Sequence, residues 1–147
     1  MRILFLIPEI RLARYTLPFW LKRLNPPESP HLGVAYLCEI LKQNGHIVKV
    51  VDLQLKSKAY ANRTIKKFKP NVIGFTITSY CTEKVYNYIK KIKEQYPRTP
   101  VIVGGAHPSC VGKNVLKQCR EIDFAVIGEG EQIILELLNA IKKNKGF

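Results

Sequence analysis

The sequence predicts an α/β domain in which a doubly wound, five-stranded parallel sheet carries helices on both faces. Apolar, β-rich runs alternate with amphipathic stretches from one end of the 147-residue chain to the other. Most of these runs are continuously apolar, which is typical of strands that are covered on both faces in a parallel sheet. A chain of roughly 150 residues is also the size of one ordinary domain, with a core large enough to fold without staples.

Five short runs are the predicted strands. They are Ile3–Ile7, Ile47–Val51, Val72–Ile77, Val101–Val103 and Phe124–Ile127. All are far shorter than the roughly 18 apolar residues that a membrane span requires. The first run ends at Pro8 and Glu9 without a small-residue cleavage site, so it is predicted to be a strand rather than a signal peptide.

The first two helices follow the first two strands. Ser29 is the expected cap of the first helix, Pro30 lies in its first turn, and Gly45 is its expected stop. Its expected buried face consists of Val34, Leu37, Ile40 and Leu41. The second helix ends at Pro70, and its apolar positions are Ala61, Ile65 and Phe68.

Three further helices complete the pattern. Thr82 and Glu83 open the third, which ends before Pro97 and has an apolar stripe of Val85, Ile89, Ile92 and Tyr96. A weaker helix is predicted near Lys113–Cys119, and the last covers Gly130–Lys143. Its expected buried residues are Ile134, Leu137, Leu138 and Ile141. With right-handed crossovers, these elements predict a flavodoxin-like fold in strand order 2-1-3-4-5.

The chain is strongly basic, with 24 Lys and Arg against 11 Asp and Glu and a net charge of +13. Clustered basic residues suit nucleic acid, which keeps a non-enzymatic nucleic-acid-binding module as the alternative function. The lysines, however, sit between apolar positions at helical spacing, as on a solvated helix face, and no known nucleic-acid motif accompanies them. The four cysteines are far apart and indicate reduced thiols and a cytoplasmic protein.

The carboxyl ends of three predicted strands carry most of the small and polar residues that are not on helix faces. They are Thr76, Thr78 and Ser79, then Gly104 and Gly105, then Gly128, Glu129, Gly130 and Glu131. Each group alone also fits a structural role, since hydroxyls cap helices, a glycine pair forms a tight turn, and an acidic residue suits a first helical turn. Together they predict a ligand-binding crevice where the strand order reverses.

Several functions are excluded because the residues that they require are absent from this sequence. A flavodoxin needs a hydroxyl-rich phosphate loop after the first strand, where Pro8–Arg11 stands, and a phosphoacceptor receiver needs an aspartate where Thr76–Thr78 stand. No glycine-rich nucleotide motif is present. The three histidines, His31, His46 and His107, have no acidic or thiol partner at a spacing typical of nucleophilic or metal sites.

Three segments in order resemble the amino-terminal cobalamin-binding domain of cobalamin-dependent radical SAM proteins. They are Pro30-His31-Leu32-Gly33-Val34-Ala35-Tyr36-Leu37 with the following Gly45-His46-x-Val48, then Val103-Gly104-Gly105-Ala106-His107-Pro108-Ser109, then Asp123-Phe124-Ala125-Val126-Ile127-Gly128-Glu129-Gly130-Glu131. That family shows P-x-L-G-x-A-Y-L, G-H-x-V, G-G-x-H-P/A-S and D-x-V-x-G-E-G-E in this order. The resemblance spans nearly the whole chain.

The resemblance implies that a corrin ring lies across the strand ends and that its dimethylbenzimidazole tail enters the crevice. It places Leu32 and Gly33 at the corrin, and it places Thr76, Thr78 and Ser79 along the tail pocket. The glycine-rich loops would pass close to the nucleotide loop and the tail, with cofactor-binding residues Gly104, Gly105, Ala106, Gly128, Glu129 and Gly130. Small residues and backbone donors suit a bulky, mostly neutral ligand.

Two departures shape the implied function. The D-x-H-x-x-G motif that supplies a cobalt-binding histidine in methionine-synthase-type domains is missing, which implies tail-displaced cobalamin without a protein ligand to the metal. The CxxxCxxC barrel that binds a 4Fe-4S cluster and S-adenosylmethionine is also missing. The resemblance therefore implies that residues 1–147 are the cobalamin-binding module of a radical SAM enzyme that catalyses methyl transfer or related radical chemistry. The module is not catalytic alone, and the barrel of this methyltransferase-like enzyme would follow residue 147 in a full-length parent.

The predicted connection Pro8–Glu28 is long, because strand-to-helix loops in such folds usually take about 2–6 residues. It interleaves apolar and aromatic side chains with arginines and lysines. Coverage of the corrin, contact with the missing domain, a local apolar cluster on the sheet and a basic membrane-surface segment are the interpretations that this composition allows.

Overall fold

The computed structural model describes residues 1–9 and 31–145, and five parallel strands form one sheet within them. The strands are β1 (Arg2–Ile7), β2 (Ile47–Asp52), β3 (Val72–Thr76), β4 (Val101–Gly104) and β5 (Phe124–Ala125). Their order is β2-β1-β3-β4-β5, and every pair is parallel. The predicted doubly wound, flavodoxin-like fold is confirmed, and the strand order reverses between β1 and β3.

Six α-helices accompany the sheet in the described part of the chain. They are α1 (Leu32–Gln43), α2 (Lys58–Phe68), α3 (Thr82–Gln95), α4 (Ala106–Val111), α5 (Asn114–Gln118) and α6 (Gly130–Lys145). A single 3₁₀ turn, Ser79–Cys81, links β3 to α3. The weaker helix predicted near Lys113–Cys119 is confirmed as α5, and the sequence did not predict α4, a further short helix that precedes it and ends at Gly112, with φ +60°.

The sheet separates two apolar clusters, which follow from the alternation of side chains along the strands. Leu4 and Leu6 of β1 face α2, α3 and α5, in a cluster that also contains Ile73, Ile89 and Val115. The other cluster contains α1 and α6. Its buried residues are Ile3, Phe5, Ile7, Val34, Cys38, Leu41, Val72, Ile102, Val126, Ile134, Leu138 and Ile141.

The start of α1 differs from the sequence prediction. The helix begins at Leu32, and the His31 ring accepts a hydrogen bond from the Val34 N–H, so His31 rather than Ser29 supplies the side-chain cap. Ser29, Pro30 and most of the connection Pro8–Glu28 lie outside the described residues. The fully buried positions of α1 are Val34, Cys38 and Leu41, whereas Leu37 and Ile40 are only half-buried.

Smaller differences between the sequence prediction and the structure concern single residues at the ends or on the faces of elements. Tyr88, not Tyr96, completes the buried stripe of α3, because Tyr96 caps the end of that helix and stays half-buried. Strand β5 ends at Ala125, although the Val126 N–H still donates to the Val103 carbonyl. Leu137 of α6 is half-buried. All four cysteines are free, and no helix in the described ranges is both long and apolar enough for a bilayer.

Candidate ligand-binding cleft

A cleft of about 200 Å³ opens at the carboxyl ends of β3, β4 and β5, between α1 and α6. Its floor and walls are mostly apolar. The apolar lining residues with large side chains are Phe5, Val34, Leu37, Phe75, Ile102, Val103, Val126 and Ile134. The position agrees with the general rule that open parallel sheets bind ligands outside the strand ends, near the point where the order reverses.

Glycines provide the space in this cleft. A Cβ atom on buried Gly74 would lie 2.6 Å from two carbons of the Phe5 ring, so the glycine lets this ring pack directly against β3. At Gly104 the nearest atoms to an added Cβ are those of Val126, 3.8 Å away, and at Gly128 there are none within 4 Å. The edges at Gly104 and Gly128 are therefore open enough for a ligand to contact the backbone.

Gly105 allows close packing of the backbone and does not enlarge the cleft. Its φ is +99°, and an added Cβ would lie 2.8 Å from Thr76 Oγ1 and 3.1 Å from the backbone of Ile77. The strand ends are joined here, since the Ile77 N–H donates to the Gly104 carbonyl and the His107 N–H donates to the Ile77 carbonyl. The glycine pair therefore brings the β4–α4 turn against the end of β3.

Two residues with hydrogen-bonding side chains, His31 and Thr76, face each other at the side of the cleft. His31 Nε2 lies 3.3 Å from Thr76 Oγ1, and His31 Nδ1 accepts from the Val34 N–H at 3.3 Å. Both residues are half-buried and both line the cleft. The sequence pattern gave no role to His31, because the expected cap at Ser29 placed His31 within the first turn of the helix.

Ser79 lies at the same end of the sheet but makes its contact on the opposite face. Ser79 Oγ is 3.2 Å from Nδ1 of buried His107, whose Nε2 is 3.2 Å from both Tyr86 Oη and Gln118 Oε1. The Tyr86 hydroxyl donates to Gln118 Oε1 at 2.8 Å, and burial raises the pKa of Tyr86 above its ordinary value. With the Gln118 carbonyl oxygen toward the ring, Nε2 carries the proton and the Ser79 hydroxyl donates to Nδ1.

The predicted site residues divide between the cleft and its surroundings. Those that line the cleft are Gly33, Thr76, Gly104, Gly105, Gly128, Glu129 and Gly130. The structure places Leu32, Thr78, Ser79 and Ala106 outside this lining. Leu32 is 77% exposed at the start of α1, and Thr78 Oγ1 lies 3.5 Å from Cys81 Sγ. Ala106 is the first residue of α4, so the segment that follows Gly105 is helical rather than a loop.

Some residues of the recognised segments hold the cleft in place from outside. Ser109 Oγ accepts a hydrogen bond from the Gly128 N–H at 3.0 Å, which joins the turns that follow β4 and β5. Asp123 pairs with Lys93 at 2.9 Å and accepts from the Val101 N–H at 2.7 Å. These contacts give Ser109 and Asp123 a structural role. In residues 1–9 and 31–145 no group of His, Cys, Asp and Glu side chains is arranged to hold a metal ion.

The family that matches this chain is the B12 binding domain, over residues 26–138. That range contains the whole cleft apart from Phe5. The chain therefore belongs to the B12 binding domain family.

Relatives in curated proteins are larger enzymes. The chain is 30% identical to an uncharacterized methyltransferase of Pyrococcus horikoshii, across 99% of this chain and 30% of that protein. It is 32% identical to the anaerobic magnesium-protoporphyrin IX monomethyl ester cyclase of Rubrivivax gelatinosus (79% of this chain, 21% of the cyclase). It is 29% identical to the hopanoid C-3 methylase of Methylococcus capsulatus (82% and 23%). The chain thus spans less than a third of the length of these relatives.

Solved structures with a similar fold come from two functional classes. A cobalamin-binding protein from Desulfitobacterium hafniense superposes with a TM-score of 0.61 at 14% identity, over 92% of this chain and 57% of that one. A signal receiver domain from Bacteroides fragilis superposes with a TM-score of 0.59 at 17% identity, over 96% and 97%. At these identities the likeness shows the fold alone.

Proposed function

We propose that this chain is the cobalamin-binding module of a radical SAM enzyme, and that it holds tail-displaced cobalamin for methyl transfer. The observation that carries the proposal is the glycine-edged apolar cleft at the strand ends of a B12 binding domain. The names of two relatives, a methyltransferase and a methylase, favour methyl transfer over other chemistry. The iron–sulfur cluster and S-adenosylmethionine would belong to the barrel of a longer parent.

The cleft fits the tail of cobalamin in size and polarity. A dry cavity of about 150 Å³ lined by Leu, Ile and Phe accommodates benzene, so about 200 Å³ with an open mouth suits a bicyclic aromatic base. Phe5, Val34 and Ile134 supply the apolar contacts, and Thr76 supplies a hydroxyl. The open edges at Gly104 and Gly128 leave room for the chain that joins the base to the corrin.

In the proposed function the residues of this chain bind cobalamin and orient it. When bound, the cobalt of cobalamin supplies the chemistry by carrying a methyl group. The cleft would remove the tail base from water between α1 and α6, and the joined turns at Ser109 and Gly128 would fix the rim on which the corrin rests. Leu32 and Gly33 at the start of α1, and Glu129 and Gly130 at the start of α6, stand on that rim and remain predicted contacts.

The nucleic-acid alternative depends on the basic charge, and the lysines concerned lie away from the cleft. Lys66 and Lys67 are exposed on α2, and Lys90 and Lys91 are exposed on α3, both of which pack on the sheet face opposite the cleft. A chain that used this surface would bind nucleic acid in a strongly salt-dependent way and would have no need of the cleft.

The experiment is an equilibrium gel-filtration assay of the purified chain with hydroxocobalamin, run at low and high salt, beside the same assay with a mixed RNA. We expect cobalamin to co-elute at both salt concentrations and RNA to elute separately. A cleft-filling variant, Gly104→Leu, is expected to lose the cobalamin, while Gly104→Ala retains it. Salt-sensitive RNA retention without cobalamin would support the alternative and overturn the proposal.

A further inference from the structure

His31 lines the cleft, but the resemblance to the cobalamin-binding family gives it no role. It stands at the variable second position of the P-x-L-G-x-A-Y-L segment, directly before α1. Its ring is nevertheless held at both nitrogens, by the Val34 N–H on one side and by the Thr76 hydroxyl on the other. The His31 ring therefore links the start of α1 to the end of β3, 45 positions further along the chain.

The two contacts determine which nitrogen of neutral His31 carries the proton. Nδ1 accepts from a backbone N–H, and a backbone N–H is always a donor, so Nδ1 is unprotonated. The proton is then on Nε2, which faces Thr76 Oγ1 at 3.3 Å and donates to it. The helix cap therefore fixes the tautomer of the ring.

The fixed tautomer in turn orients the Thr76 hydroxyl. Because Oγ1 accepts from His31, its own hydrogen is free to donate, and no other hydrogen-bond partner of this hydroxyl exists among the described residues. Gly105 backs the same oxygen closely, since an added Cβ there would come within 2.8 Å. The hydroxyl therefore offers a donor to a mostly apolar cleft, whose lining also includes the carboxylate-bearing Glu129 and Glu131.

We propose that His31 is a positioning residue that holds the Thr76 hydroxyl as a hydrogen-bond donor toward an unprotonated ring nitrogen of an aromatic base in the cleft. This inference rests on the proposed function, because cobalamin would supply such a base. The size of the cleft and its mostly apolar lining suit a flat ring system, and a hydroxyl donor beside apolar side chains favours a ligand with an acceptor at that place.

Three corrinoid probes test the inference. Cobalamin carries a ring nitrogen in its tail, a phenolyl cobamide carries a phenol ring without nitrogen, and cobinamide carries no base. Thr76→Val removes the donor, and we expect its affinity for cobalamin to fall about tenfold, the value of a good neutral hydrogen bond. Affinity for the phenolyl cobamide and for cobinamide should stay within about twofold, because neither uses the donor.

His31→Asn separates positioning from helix capping. Asparagine is among the best helix caps, so α1 keeps its start, but the shorter side chain cannot reach Thr76. We expect cobalamin affinity to fall about threefold, with the phenolyl cobamide unchanged. The matched control is His46→Asn, which changes a half-buried histidine near the other end of α1 and is expected to alter neither affinity.

A measurement without ligand completes the test. Nitrogen-15 NMR of the side chains in the free chain reports the tautomer of His31 directly, and we expect the proton on Nε2. A proton on Nδ1, or equal losses for all three corrinoids, would overturn the role of His31 while leaving cobalamin binding intact. Failure of the unaltered chain to bind cobalamin would overturn the proposed function and this inference together.

Discussion

The two faces of the sheet differ in how completely their polar and apolar groups are used. On the face covered by α2, α3, α4 and α5, the apolar cluster is continuous, and the buried ring of His107 is held at both nitrogens by Ser79, Tyr86 and Gln118. On the face covered by α1 and α6, a cleft opens above Phe5 and Gly74, and the Thr76 hydroxyl has only His31 as a hydrogen-bond partner among the described residues.

This contrast shows how one scaffold combines stability with binding. The filled face fixes the ends of β3 and β4, so the cleft face can leave space open without losing its shape. The open face also lies where parallel strands expose their carboxyl ends. Changes on the filled face should therefore lower the free energy of unfolding, whereas changes in the cleft should act mainly on ligand binding.

The largest expected effect comes from Gly105, where the two faces meet. Gly105→Ala would place a Cβ within 3.1 Å of the Ile77 backbone at φ +99°, and we expect the free energy of unfolding to fall by about 3 kcal/mol. Urea denaturation checks this. Gly104→Ala is the control, with the nearest atoms 3.8 Å away, and should change stability by less than about 0.5 kcal/mol. Equal effects would show that Gly105 has no special packing role.

Gly74→Ala should affect both stability and binding. The new Cβ would lie 2.6 Å from the Phe5 ring, which must shift, so we expect a loss of about 2 kcal/mol in unfolding free energy and a clear loss of cobalamin affinity. Adding Phe5→Leu should restore stability, because the smaller side chain makes room. If Gly74→Ala left binding unchanged, Phe5 would not border the ligand.

His107→Ala tests the filled face. Removing the ring leaves the Tyr86 and Gln118 groups without this partner, and we expect unfolding free energy to fall by about 1.5 kcal/mol. His107→Asn keeps a polar group near Ser79 and should cost less. Thermal unfolding of the two variants measures the difference, and equal losses would mean that only the volume of the ring matters.

The smallest expected effect is a loss of stability at alkaline pH, which follows from ionisation of the Tyr88 phenol. Burial raises the pKa of this phenol from the ordinary 10.0 to about 12, so the folded chain keeps its proton longer than the unfolded chain. Its stabilising contribution is complete below pH 10 and is lost as the pH rises toward 12. Tyr88→Phe removes a 2.8 Å hydrogen bond to Asn62, at about 1 kcal/mol near neutral pH.

The difference in urea midpoint between the two chains should therefore shrink as the pH rises from 10 to 12. Burial raises the pKa of Cys119 to about 11, so this thiol titrates over a similar pH range. Because both chains contain Cys119, its contribution cancels in the difference between them. A constant difference across that range would contradict the burial of the Tyr88 phenol.

The fold was largely predictable from the sequence because it depends on local patterns. Continuous apolar runs identified all five strands, and helical spacing identified α2, α3 and α6. The short helix α4 was not predicted, because the glycine pair and Pro108 resemble a turn when read alone. The true start of α1 at Leu32 depends on a histidine cap, which sequence rules rank behind Ser, Thr, Asp and Asn.

The site was predictable only in part. The glycines and hydroxyls at the strand ends pointed to the correct edge of the sheet, but not to which face each side chain uses. Thr76 reaches the cleft whereas Ser79 contacts His107, because the chain leaves the strand between them and enters a 3₁₀ turn. Contacts such as those of Thr76 with His31 join residues far apart in the chain, and no local pattern contains them.

Binding of the cobalamin tail in the cleft between α1 and α6 is the step on which the proposed function depends. Its most direct measurement is an absorbance titration of methylcobalamin with the unaltered chain and with Gly104→Leu, because displacement of the tail base from cobalt changes the visible spectrum. We predict a saturable change to the tail-displaced spectrum with the unaltered chain and no change with Gly104→Leu. The claim would be contradicted by an unchanged spectrum with the unaltered chain, or by the same change with both.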